Sequence, residues 1–231
     1  MSNAPKPLNE DERLAALATY DVLDSDPEQG TDDLVALAAG LAGTPIALIS
    51  IVDAERQWFK ARIGFADCET SRSGSFCAWA LHSREPMIVA DARRDPRFAD
   101  SPIVAGEDGV RFYAGFPLWT SQDVCLGTLC VLDHEPRELA PERIALLERV
   151  ARSVVAQFES RKMAAQLAEA LERVRILGDL VPVCAYCRRV REDDEYRRSL
   201  ESWLDEQTDM SFTHGICGEC LVKAREEITQ L

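Results

Sequence analysis

Ile46-Ala47-Leu48-Ile49-Ser50-Ile51-Val52, a turn at Asp53 and Ala54, and then Trp58-Phe59-Lys60-Ala61-Arg62-Ile63 decide the fold class. The first run is mostly β-branched and aliphatic. In the second, Trp58, Lys60 and Arg62 alternate with Phe59, Ala61 and Ile63, the two-residue period of a strand with unlike faces. Two such runs across a short polar turn predict a β-hairpin. A second hairpin is predicted from Arg111 to Thr120 and Val124 to Asp133 around Ser121 to Asp123, with Gly115 and Gly127 inside the strands.

On the N-terminal side the period changes to that of a helix. A polar, proline-bearing tail (residues 1–9) leads to Leu14, Leu17 and Ala18, with Asn9 as candidate cap and an end expected near Asp24. Leu34, Leu37, Ala38 and Leu41 predict a second helix that starts near Thr31 and stops at Gly43. Between the hairpins, residues 64–75 are rich in turn formers, Ser75 to Leu81 has a short helical pattern, and Met87 to Ala90 reads as a brief strand. Asp91 to Gly109 is a long irregular crossing, a length that is usually functional inside a compact domain. Two helices, five strands with an insertion and a final helix describe an α+β fold, an antiparallel sheet flanked by helices.

The final helix is long. No Gly or Pro lies between Pro141 and Gly178, and the segment is crowded with Ala, Leu, Glu, Arg and Gln. At about 1.5 Å per residue it would reach about 54 Å. Leu147, Val150, Val154 and Phe158 form one apolar stripe, and Leu167, Leu171, Val174 and Leu177 form another. The first is expected to pack on the preceding domain. The second is expected to pair with a copy of itself in a parallel homodimeric coiled coil.

Trp58-Phe59-Lys60, Ser75-Phe76-Cys77-Ala78-Trp79-Ala80, Asp91-Ala92 with Asp95-Pro96-Arg97-Phe98, Arg111-Phe112-Tyr113-Ala114-Gly115 and Leu126-Gly127-Thr128-Leu129-Cys130 together resemble bacterial GAF sensor domains. The resemblance covers about residues 10–160. It implies terminal helices on one face of the sheet and a small-molecule pocket on the other, with Phe76, Cys77, Trp79, Asp91, Phe98, Phe112 and Tyr113 on the segments that line it. An aromatic box with one carboxylate suits a small planar or cyclic ligand. Each aromatic also reads as core, and Cys77 and Cys130 read as buried structural thiols. His82 and His134 stand alone, with nothing that pairs them with a nucleophile.

The sharpest chemical signal is C-terminal. Cys184-x-x-Cys187 and Cys217-x-x-Cys220 are separated by 29 residues, with His214 three residues before Cys217. Each two-residue gap lets the backbone turn back on one ion, so four thiolates can take the corners of a tetrahedron around a structural zinc. An all-cysteine site is expected, with His214 behind it or as an alternative ligand. The segment also resembles a small Cys-rich module at the C-termini of bacterial sensor proteins. Tyr196, Leu200, Trp203 and Leu204 fall on one helical face and are expected to form the module's small core. Arg188, Arg189 and Arg191 are followed at once by acidic residues, which reads as a solvated, salt-bridged surface.

The expected organisation is a tail (1–9), a GAF-like sensor domain (10–158), a helical linker (159–180) and a zinc module (181–231). The 231 residues carry a net charge of −14, and residues 181–231 hold 7 Lys/Arg against 11 Asp/Glu, a balance that speaks against a nucleic-acid surface. No signal peptide and no membrane span is legible, and eight cysteines without a secretion signal point to thiols or metal rather than disulfides, so a cytoplasmic protein is expected. The reading is a non-enzymatic signal-transduction sensor that binds a small ligand or partner and relays the change to a zinc module and a downstream signalling protein. Two alternatives are a GAF-fold thiol enzyme of the methionine sulfoxide reductase kind, using Cys77 with another thiol, and a zinc-containing transcription regulator.

Overall fold

A computed structural model of the chain describes residues 4–178, 180–187, 189–192, 195–199 and 211–229, which form two compact units, 1–164 and 165–231. In the first unit, α1 (Glu10–Ala18) and α2 (Gln29–Ala42) precede the hairpin β1 (Ile46–Val52) and β2 (Arg56–Ile63). Then come β3 (Glu69–Ser71), α3 (Phe76–Ala80), β4 (Met87–Val89), the hairpin β5 (Phe112–Trp119) and β6 (Cys125–Asp133), and the long helix α4 (Pro141–Gly178), which crosses the division between the units. The sheet is antiparallel throughout, in the order β3-β2-β1-β6-β5-β4. Both edges are three-residue strands, short enough to offer little backbone to another chain.

β1 is buried along its whole length because both faces of the sheet are covered, and that is why Ile46 to Val52 carries apolar residues without alternation. Ala47, Ile49 and Ile51 face a core built with α2 and the first half of α4; Leu48 and Val52 face a second core with α3 and the 91–110 crossing. Leu147, Val150, Val154 and Phe158 are all buried in the first core, and each contributes roughly 1.5–3 kcal/mol of burial free energy. The helix stays tied to this unit through Arg161, which pairs with Glu28, and Lys162, which donates to Thr19 Oγ1. Past that point, Met163, Leu167 and Leu171 are each 61% exposed. The side chains of Val174 and Leu177 lie outside what is described.

Two glycines answer a geometric demand. Gly43 takes φ +68 to end α2, where its N–H donates to the Ala39 carbonyl at 2.8 Å. Gly127, opposite Ile51, lies so close to β1 that a Cβ would fall on the Ser50 carbonyl oxygen.

Several expectations are corrected. The sheet has six strands rather than five, because β3 pairs with β2 through only Arg56 to Trp58, too short a segment for any period to show. Helix α1 ends at Ala18, not near Asp24: Asp21 (φ 48) and Asp24 (φ 55) take left-handed conformations that no helix continues through. Asn9 occupies the N-cap without a side-chain bond, and α2 starts at Gln29, two residues before Thr31. The Lys60 side chain is fully buried, its Nζ 2.7 Å from Glu28 Oε1, 2.8 Å from Ser25 Oγ and 2.6 Å from the Asp26 carbonyl oxygen.

The second unit holds a four-stranded sheet, β7 (Leu180–Cys184), β8 (Arg189–Glu192), β9 (Glu195–Ser199) and β10 (Ser211–Gly215), in the order β10-β7-β8-β9, followed by α5 (Gly218–Thr229). Tyr196 lies in strand β9, which corrects the helical reading of that residue: its neighbours are set by the ladder with β8. Leu200, Trp203, Leu204 and Arg188 lie outside the described residues, as do the side chains of Tyr196, Arg191 and His214. Arg189 pairs with Glu219 at 3.7 Å, both groups substantially exposed.

Candidate ligand pocket and thiolate cluster

On the face of the large sheet away from α2 and α4 lies a cavity of about 380 Å³. Leu48, Phe59, Tyr113, Cys130 and Leu132 form its floor, on the four central strands. The 65–75 segment, the start of α3 and residues 101–103 of the long crossing close round it. Ser75 sets the entry to α3, accepting from the Ala78 N–H at 3.0 Å. Phe76 then stacks on Tyr113 at 4.8 Å and on Phe98 at 4.0 Å between ring centroids, so the aromatic wall is held from behind.

All but one of the polar side chains named in its lining are uncharged. Gln57 donates from Nε2 to Thr70 Oγ1 at 2.6 Å and accepts from Ser50 Oγ at 3.4 Å, which fixes its amide against the cavity. Hydroxyls of Thr70, Ser71, Ser73, Ser75 and Ser101 line the cavity too, and among the described residues Asp67 is its one carboxylate. Among the described residues no Lys or Arg lines the cavity. At the floor, Cys77 Sγ lies 3.8 Å from Cys130 Sγ, and the Tyr113 hydroxyl donates toward Cys77 Sγ at 3.6 Å. Hydrogen bonding from Cys130 lowers the Cys77 thiol against the opposing effect of burial, while burial pushes Cys130 and the Tyr113 phenol well above their ordinary values.

The second unit gathers four further thiols. Parallel pairing sets Gly215 of β10 beside Cys184 of β7, so both Cys-x-x-Cys turns begin at one end of the sheet. The four Sγ atoms of Cys184, Cys187, Cys217 and Cys220 all lie within 4.8 Å of one another. Cys187 and Cys217 donate backbone N–H bonds to Cys184 Sγ at 3.5 and 3.2 Å. Burial raises the Cys184 thiol, but these N–H donors outweigh it and leave it below its ordinary value. Four thiolates this close repel strongly, and a divalent cation is the group that lets all four ionise together. A tetrahedron with Zn–S near 2.3 Å has S···S edges of about 3.8 Å, and Cys187 Sγ lies 3.8 Å from Cys217 Sγ. The donor set and the Cys187–Cys217 edge are compatible with a tetrahedral metal site.

A family model described as the GAF domain matches residues 26–158, more than half of the chain. The chain belongs to the GAF domain family. A cyclic di-GMP phosphodiesterase of Pseudomonas aeruginosa is 44% identical over 161 residues, which are 69% of this chain and 27% of that protein, so the chain spans about a quarter of its relative's length. Among solved structures, the bacteriophytochrome RpBphP3 of the photosynthetic bacterium R. palustris superposes with a TM-score of 0.50 at 13% identity, over 75% of this chain and 41% of that one. The GAF domain of an Acinetobacter phosphoenolpyruvate-protein phosphotransferase gives 0.48 at 16% identity, over 70% and 96%. At such identities the likeness to the bacteriophytochrome is one of fold.

Within the GAF domain the structure sorts the seven residues singled out by sequence. Phe76, Cys77 and Tyr113 line the cavity. Phe98 sits behind Phe76, and Trp79 packs edge-on against Phe98 at 6.3 Å. Phe112, the neighbour of Tyr113 on β5, points to the opposite core. Asp91 caps a short 3₁₀ turn at Ala92–Arg94 and pairs with Arg93, which holds its carboxyl below the usual range. Gln57, Phe65, Asp67 and Thr70 were not legible as lining residues. His82 donates from Nε2 to the Pro5 carbonyl and His134 from Nδ1 to the Asp108 carbonyl, both near the surface. Among the described residues no helix is long and apolar enough to cross a membrane.

Proposed function

We propose that this chain is a signal-transduction sensor whose GAF domain takes a small, uncharged, planar ligand and whose C-terminal unit is a zinc–thiolate module that passes the signal on. The observation that carries the ligand class is the lining of the cavity. A stacked aromatic wall, an anchored Gln57 amide and a ring of hydroxyls can hold a neutral ring by stacking and hydrogen bonds. A phosphodiester anion buried there would meet Asp67 and no lining cation among the described residues, which is unfavourable. The cyclic di-GMP in the name of the Pseudomonas relative therefore does not fit this cavity, and hydrolysis of it belongs, in this reading, to the part of the relative outside the match. Zinc is supported by four thiol donors within 4.8 Å of one another, with N–H donors to Cys184 that stabilise thiolate. The long helix α4 begins in the GAF core and runs on into the second unit, so it is the covalent route between ligand and output. Its outer Met163, Leu167 and Leu171 face pairs two copies in parallel.

Two measurements on the purified full chain test this. Metal analysis after preparation without added metal should give about one zinc per chain, and a Cys184→Ser, Cys187→Ser double variant should lose more than half of it. Thermal-shift screening should find neutral heteroaromatic compounds that raise the melting temperature of the parent and not of Phe76→Ala. If cyclic di-GMP binds at micromolar concentration and Gln57→Leu abolishes that binding, the ligand class is wrong.

A further inference from the structure

We propose that Cys77 and Cys130 are a modification site, a dithiol that a small hydroperoxide entering the cavity converts to an intrachain disulfide. The pair joins residues 53 apart in sequence, one on α3 and one on β6, yet brings their sulfurs to 3.8 Å. A disulfide needs about 2.05 Å, so less than about 2 Å of approach, shared between two side chains, closes the bond. Both residues are almost fully buried, and both line the open cavity. Their surroundings are thus sealed on the protein side and reachable only from the ligand side.

The chemistry balances with the peroxide as sole oxidant. The Cys77 thiolate attacks one peroxide oxygen, the O–O bond breaks, and the departing hydroxide leaves as water once protonated; the sulfur is now a sulfenic acid. Cys130 sulfur then attacks Cys77 sulfur, the S–O bond breaks, and the second oxygen leaves as water with the Cys130 proton. Two thiols and one hydrogen peroxide give one disulfide and two waters. The Tyr113 hydroxyl, which donates toward Cys77 Sγ, favours the thiolate that starts the sequence. Cys125 supplies an internal contrast. It is as deeply buried and lies on the same strand, but it does not line the cavity, its Sγ donates to the Gly127 carbonyl at 3.4 Å, and burial pushes its thiol up to about 12. The bond would draw both sulfurs toward each other at the floor that any ligand must touch, so oxidation and ligand occupancy should compete. The assignment rests on the sulfur geometry and holds whatever ligand the cavity takes.

The test uses the full chain and hydrogen peroxide. After exposure, unreacted thiols are blocked with N-ethylmaleimide and the protein is mapped by non-reducing peptide mass spectrometry. A Cys77–Cys130 linked peptide, 2 Da lighter than the sum of its parts and reversed by dithiothreitol, is expected, forming at least about tenfold faster than any oxidation of Cys125. In Cys130→Ser the linked peptide should vanish, and dimedone should trap a sulfenic acid on Cys77. Two outcomes overturn the proposal: Cys77 and Cys130 both remain free under conditions that fully oxidise the exposed Cys68, or Cys77 links to a different cysteine. The parent measurement decides the matter even if a serine variant folds poorly.

Discussion

Replacing Lys60 with Met tests whether a buried ion pair holds the long helix to the sensor sheet. Lys60 Nζ reaches Glu28 Oε1, Ser25 Oγ and the Asp26 carbonyl from a fully buried side chain on β2, while Arg161 of α4 reaches the same Glu28 carboxylate at 2.5 Å. One carboxylate thus joins sheet, α2 entry and helix. Removing one partner of a buried pair typically costs about 3–5 kcal/mol, because the survivor is left charged and unpaired. Here Glu28 keeps Arg161 and is 30% exposed, which reduces the penalty. Against that, the Asp26 carbonyl and the Ser25 hydroxyl each lose a hydrogen bond of about 1 kcal/mol. The expected loss is about 2–3 kcal/mol in Lys60→Met, read by urea unfolding of the full chain with an unchanged slope on denaturant. A double-mutant cycle with Glu28→Gln should show coupling of about 1–2 kcal/mol. Amide exchange should loosen over residues 24–30 and 159–163 before the rest of the unit. If Lys60→Met is as stable as the parent within about 0.5 kcal/mol, or more stable, hydrophobic burial outweighs the pair and the proposed anchoring is wrong.

Three further tests address other parts of the molecule. Gly127→Ala should destabilise the GAF domain by about 3 kcal/mol or more, seen as a lowered melting temperature, since its Cβ would fall on the Ser50 carbonyl of the paired strand; an unchanged melt would disprove the close approach. Burial raises the Glu10 carboxyl, but Arg13 at 2.8 Å and Arg72 outweigh it and hold it at about 2 in the folded chain against an ordinary 4.5. This stabilisation is present above about pH 4.5 and is lost as pH falls toward 2, so the parent should weaken more steeply than Glu10→Gln between those values in chemical unfolding curves; parallel losses would contradict it. If the exposed face of α4 pairs two copies, the parent should sediment as a dimer and cross-link through a thiol at position 175, and a Leu167→Glu, Leu171→Glu variant should sediment as a monomer; a parent that is monomeric at micromolar concentration rules the helix pairing out.

The amino-acid sequence by itself determined the elements whose cause is local. The Pro141–Gly178 helix, the two central hairpins, the short helix after Ser75 and the Gly43 stop follow from helical and strand periods and from the preferences of proline and glycine, which act over a few residues of chain. The spacing inside each Cys-x-x-Cys pair is local in the same sense. Whether the two pairs meet depended on β10 lying parallel beside β7, a contact between distant residues that no period encodes. Only the tertiary structure set β6 between β1 and β5, and from that order come the buried Lys60, the cavity floor and the separation of neighbours on β5, with Tyr113 facing the cavity and Phe112 the opposite core. The approach of Cys77 to Cys130 is of this kind too: each reads from sequence as an ordinary buried thiol, and their pairing is created by packing α3 on β6. A side chain's own chemistry is written at its position, but its partners are chosen by which strands and helices collapse together, and that choice is made by the apolar area buried across the whole sheet.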